Sequence, residues 1–124
     1  MIPSRAIDLG KVLTPLLSLQ SKSEKALESL APGTWQYARL SKEIEAIKLA
    51  LYLMQPPTDD PIPDLSQRRS AQLTLSALIS RVEGVRAKFV EGSGPYTLQD
   101  NRLYALRVAE AVVGANLRAA SSNK

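Results

Sequence analysis

Three groups of residues have the types and spacing to do chemistry. Asp59, Asp60 and Asp64 lie within six positions of one another, and clustered carboxylates are what a hard cation such as calcium binds. The stretch lacks the alternating ligands and central glycine of a dedicated calcium loop, and aspartates beside prolines also serve as turn and cap residues. Glu43 and Glu45 are two residues apart, so a helix turns them to different faces and they cannot act as an acid–base pair. The third group is basic: Arg68, Arg69, Arg81, Arg86 and Lys88 recur on the polar side of one amphipathic stretch. Such a row attracts an acidic partner, whether nucleic acid, anionic membrane or acidic protein.

Other chemistry is closed off by what the chain lacks. It has no histidine and no cysteine. The commonest general base, the commonest metal ligands, thiol nucleophiles and disulfides go with them. No glycine-rich phosphate loop is present, and most carboxylates fall on helix exteriors beside lysine or arginine. The expectation is a protein that is not an enzyme and holds no cofactor or metal.

Helices must position these groups. The central one runs from Asp64 to Glu91, with Ala71, Leu75, Leu78, Val82, Val85 and Phe89 stepping by four and three along one face. Asp64 and Gln67 have the spacing of a capping box, with Pro63 just outside. Before it, Tyr37, Leu40, Ile44, Ile47, Leu51 and Met54 predict a helix over 34–54, with Trp35 closing one end of the core and Arg39, Lys42, Glu43, Glu45 and Lys48 outside. A first helix over 4–30 carries Leu9, Leu13, Leu16, Leu27 and Leu30; Pro15 predicts a kink or a fresh start with Thr14 as cap. Ala31-Pro32-Gly33 and Gly92-Ser93-Gly94-Pro95 are turns, and the proline-rich stretch 55–63 is the longer loop. A last helix over 97–120, capped by Thr97 with Asp100, is small and apolar nearly all round from Ala105 to Ala115, broken by Arg107 and Glu110. Four such helices predict one all-α domain, an antiparallel up-down-up-down four-helix bundle.

Composition agrees with a single folded domain. The chain has 124 residues, 44% hydrophobic and 23% charged, too apolar for disorder. No apolar run approaches the roughly 20 residues that cross a membrane, and no secretory or transit pattern opens the sequence. The net charge of +4 arises wholly in residues 61–124, where nine Lys and Arg face five Asp and Glu; the first 60 residues hold seven of each.

The run Leu78-Ile79-Ser80-Arg81-Val82-Glu83-Gly84-Val85-Arg86-Ala87-Lys88 resembles the third-helix pattern of the PsbQ family, the extrinsic lumenal subunits of photosystem II. Trp35 resembles the family's tryptophan at the start of its second helix, and Tyr104 with Val108 its fourth-helix tyrosine and valine, so the likeness spans Trp35 to Leu117 through degenerate helix-packing signals. The proline-rich arm of plant members and the histidine-containing metal site of cyanobacterial members have no counterpart here. The resemblance implies a non-catalytic protein of the thylakoid lumen, docked on the photosystem II core and its other extrinsic subunits, stabilising the oxygen-evolving centre and retaining its calcium and chloride. It implies no small-molecule substrate.

Arg68, Arg69, Arg81, Arg86 and Lys88 are the expected docking residues on a chain expected to be monomeric. Replacing Arg81, Arg86 and Lys88 by glutamine is expected to weaken docking and leave stability nearly unchanged. Two other classes use the same features. A nucleic-acid-binding module would use the basic face, although no groove-reading motif or aromatic stacking platform accompanies it. A small adaptor bundle would expose an apolar seam to a partner helix.

Overall fold

Helix-forming sequence continues through most of the chain, and the computed structural model, which describes residues 9–55 and 63–122, consists of four helices. They are α1 Leu9–Glu28, α2 Trp35–Met54, α3 Leu65–Arg86 and α4 Gly94–Ser122. Among the described residues there is no strand, and no helix is long and apolar enough to cross a membrane.

Each helix turns an apolar stripe inward. Val12 and Leu16 of α1, Ile44, Ile47 and Ala50 of α2, Ala71, Leu75, Leu78 and Val82 of α3, and Leu103, Leu106, Ala109 and Val113 of α4 are buried. All but Ile44 join one continuous core cluster. Burying a side chain of the size of Leu or Ile contributes roughly 1.5–3 kcal/mol, so this shared stripe outweighs any single cap or ion pair. α1 packs on α2 and α4, α3 packs on the same two helices, and α2 also touches α4.

The capping residues explain where α2 and α3 begin. Thr34 accepts from the Tyr37 amide at 3.3 Å. At α3 both halves of the expected box form: the Gln67 amide donates to Asp64 Oδ1 at 2.7 Å, and the Asp64 amide donates to Gln67 Oε1 at 2.9 Å. Gly33 and Gly92 supply the turns after α1 and α3, with φ of 93° and 87°, a region that side chains with a Cβ avoid.

Several expected boundaries move. No fresh start occurs at Pro15: α1 runs through it as one helix from Leu9 to Glu28. An interior proline removes a backbone bond, and the fully buried Val12 and Leu16 on either side hold the turn in place. Residues 4–8 lie outside the described residues. α3 ends at Arg86 rather than Glu91 because the Lys88 and Phe89 amides take the Val85 and Arg86 carbonyls, tightening the chain into turns. Phe89 consequently leaves the core stripe and is exposed. α4 starts at Gly94, three residues early, because Ser93 rather than Thr97 is the cap: its Oγ accepts from the Tyr96 amide at 3.3 Å and its carbonyl from the Thr97 amide at 2.9 Å. Trp35 does not close the core. It is 66% exposed, with the Arg39 guanidinium 5.1 Å from its ring centroid.

Candidate docking surface

The five basic residues of the α3 region are a natural place to look for a docking face, and helix geometry decides whether they form one. Taking the buried stripe Ala71–Leu75–Leu78–Val82 as the inner face, Arg68 and Arg86 fall on one flank, Arg81 on the other and Arg69 opposite. The flanking three turn inward to neighbouring helices. Arg68 donates to Asn116 Oδ1 on α4 at 2.6 Å. Arg86 pairs with Asp100 on α4 at 2.5 Å, its guanidinium also 5.5 Å from the Tyr96 ring centroid. Arg81 grips Glu43 of α2 through both terminal nitrogens, the second at 2.8 Å. Arg69 and Lys88 are exposed. Three of the five candidates therefore stitch the helices together, and the five do not share one face.

Glu43 is the largest departure from its expected place. It was assigned to the outer face of α2 but is buried, its side chain 6% exposed. The reason lies in its row: Glu43, Ala46 and Ala50 follow one another along the helix, and the alanines, both buried, present little bulk on the side that meets α3. The carboxylate enters that seam only because Arg81 crosses from the opposite helix to meet it, with Arg39 4.0 Å away. The hydrogen bonds to Glu43 hold the Arg81 guanidinium above its ordinary range, opposed by partial burial and reinforced by the carboxylate's charge. Substituting Arg81 thus removes a partner from a buried charge, contrary to the expectation that its loss would leave stability unchanged.

Beside that seam lies an open groove of about 720 Å³ between α2 and α3, with Lys42, Glu45 and Lys48 on one wall and Ser66, Ser70 and Thr74 on the other. Lys48 pairs across to Glu24 of α1 at 3.5 Å. Asp59 and Asp60 lie outside the described residues; Asp64 serves as the α3 cap. Among the described residues no group of three or more acidic side chains is placed to hold a metal ion.

No protein-family model, curated protein or solved structure matches this chain. The site must be read from its own geometry.

That geometry singles out one end of the molecule. Glu43 and Arg81 join the first half of α2 to the last turns of α3, and Arg86 with Asp100 joins the end of α3 to the beginning of α4. Trp35, Phe89, Val90 and Leu98 all belong to these segments, and all are exposed. Arg102, one turn beyond Leu98, is only 8% exposed. Among the described residues its Nε has no hydrogen-bond partner, and burial draws its guanidinium below the ordinary range. The expectation for α4, which counted only Arg107 and Glu110 as breaks in its apolar surface, passed over this residue. The signal was available: Leu98, Arg102, Leu106, Ala109 and Val113 step by four, four, three and four, so Arg102 occupies a core position.

Proposed function

We propose that this protein is a non-catalytic docking subunit, a four-helix bundle that binds an acidic protein surface. The observation that carries the reading is the use of its charges. Glu43, Glu83 and Asp100 are each matched by an arginine from a neighbouring helix, while the cations Arg69 and Lys88 stay exposed and Arg102 goes unmatched among the described residues. A rigid, internally cross-linked scaffold with unspent positive charge suits binding better than turnover.

The cross-helix partners support antiparallel packing of α3 on α4, while the contacts of α1 depart from an up-down-up-down order. Going up α3, residues 68, 72, 83 and 86 meet residues 116, 110, 107 and 100 of α4, a falling series expected of antiparallel neighbours. We place α1 obliquely on this scaffold, since Glu24 reaches Lys48 rather than the α2 residues nearest the intervening turn, and Gly10 and Thr14 line a cavity with Asp100 and Tyr104.

The specific form of the proposal follows the third-helix resemblance: an extrinsic subunit on the lumenal face of photosystem II, in contact with its core and other extrinsic subunits, that helps retain calcium and chloride at the oxygen-evolving centre. Leu78 and Val82 of that pattern are core residues and Arg81 and Glu83 are cross-helix ties, which is what a packing signature contains. The test is retention of purified protein on salt-washed photosystem II membranes at low and high salt, with duplex DNA as control. Selective, salt-reversible retention with restored oxygen evolution is expected. Retention on DNA alone, or on neither, would overturn the photosystem assignment. A second reading, a helical adaptor for another partner, is favoured by the exposed Trp35, Phe89, Val90 and Leu98, and binding to neither matrix would leave it standing.

A further inference from the structure

The core stripe of α4 does not end where the core does. Leu98 stands one turn before Arg102 and two before the fully buried Leu106, on the same face, yet it is 46% exposed. The inner face of α4 therefore emerges uncovered in its first turns. Phe89, which leaves the stripe beyond the end of α3, is exposed at the same end of the molecule, where Arg86 ties the end of α3 to Asp100 and lies over Tyr96. In a helix, side chains lean toward the amino-terminal end, so Arg102 leans toward Leu98 and the uncovered mouth. Among the described residues no carboxylate, carbonyl or ring receives it. An unmatched guanidinium in a core position is costly unless something meets it.

We infer that this mouth receives a carboxylate-bearing apolar segment of a partner protein, with Arg102 receiving the carboxylate and Leu98 and Phe89 making the apolar contact. The inference rests on the docking reading and names its site and the chemistry of its partner. Charge selects the occupant. A second copy brings Arg102 and Lys88 against the same two cations, and with Asp100 already held by Arg86 it has Glu91 as the carboxylate left to answer them, so like charges outnumber unlike ones at such a contact. Arg102 is 8% exposed, so a carboxylate carried on a flexible side chain suits it better than a headgroup held at a bilayer surface. Leu98 and Phe89 stand on separate exposed segments, which suits a partner segment with several side chains over a small acid.

The probe is a short fluorescein-labelled amphipathic helix of Leu, Phe and Glu, compared with its Gln counterpart by anisotropy on the full chain, with phosphatidylglycerol vesicles as a third arm. The Glu peptide is expected to bind about tenfold more tightly than the Gln peptide, the scale of one charge-assisted hydrogen bond in a sheltered site. Arg102→Met should abolish that preference without lowering Tm, and Leu98→Ser should weaken both peptides alike. Equal affinity for the two peptides, a Glu preference that survives Arg102→Met, or selective capture by the vesicles would overturn the inference. Photosystem membranes separate it from the broader reading. Equal retention of wild type and Arg102→Met there would sink the Arg102 site and leave the photosystem role intact. No retention on membranes, with the Arg102-dependent peptide preference present, would do the reverse.

Discussion

Two arginines at the same end of this molecule are treated oppositely. Arg81 crosses the α2–α3 seam and meets a buried carboxylate with two nitrogens; Arg102 sits in the α4 stripe and meets none among the described residues. Their guanidinium groups are displaced in opposite directions, Arg81 upward through its hydrogen bonds to Glu43 and Arg102 downward through burial. The first is a closed contact whose two charges satisfy each other. The second is an open one, and the difference marks where the fold is complete and where it offers something to a partner.

The largest effect should come from opening the closed seam with a charge that nothing answers. Val82 is buried one position along from Arg81, and Val82→Asp places a carboxylate in the apolar stripe. A loss of about 4 kcal/mol or more is expected, most of the stability of a domain at the lower end of the ordinary range; a denaturation midpoint unchanged from wild type would overturn the assigned facing of α3. Next comes Arg81→Met, which leaves the buried Glu43 with Arg39, 4.0 Å away, as its remaining cationic neighbour. Removing one member of a buried pair costs roughly 3–5 kcal/mol, and since the Arg81 side chain is about two-fifths exposed the expected loss is nearer 2 kcal/mol after solvent screening. The double variant Glu43→Leu/Arg81→Met should recover most of that in denaturant melts. A loss in the double variant equal to the sum of those of Glu43→Leu and Arg81→Met alone would mean that the pair contributes no coupling. The sign with pH is fixed as well. Arg81 is raised in the folded state, so its contribution is fully present below the unfolded arginine value and would be lost only above the folded one, beyond the ordinary arginine range. Stability should show no alkaline loss from this pair in accessible buffers.

How much of this was legible depended on the range of the interaction. The α3 cap was readable because Asp64 and Gln67 answer each other three residues apart, and the Leu75–Leu78–Val82 stripe because helix periodicity is local. Trp35 and Phe89 were misplaced because each stands at a helix end, where a stripe's continuation depends on whether a neighbouring helix extends far enough to cover it. Arg68, Arg81 and Arg86 looked like one outer face because their partners, Asn116, Glu43 and Asp100, lie 48, 38 and 14 residues away, and a periodic pattern carries no information about such pairings. Arg102 was readable from its register with Leu106 and Val113; what the sequence could not supply was the absence of a carboxylate to meet it.

A smaller effect is expected from closing the open contact. Arg102→Met keeps the volume of the stripe and removes an unmatched charge, so stability should hold or rise by up to about 1 kcal/mol. A clear fall in the denaturation midpoint would mean that Arg102 has a partner in solution and that the contrast with Arg81 is false.

The smallest effect belongs to the cations that take part in neither contact. Arg69 points away from the stripe and Lys88 lies beyond the end of α3, both exposed, so Arg69→Gln and Lys88→Gln should each change stability by less than about 0.5 kcal/mol. Their effect on docking should nevertheless differ. Lys88 adjoins Phe89 and the mouth above Arg102, where its charge would steer an acidic segment toward the site; Arg69 stands near the opposite end of α3. Lys88→Gln is therefore expected to slow association with the Glu peptide at low ionic strength, with the difference fading once salt screens charges about 10 Å apart, while Arg69→Gln leaves the rate alone. Equal slowing by both variants in stopped flow would assign the attraction to the net charge of +4 rather than to the end of the molecule where Arg102 lies open.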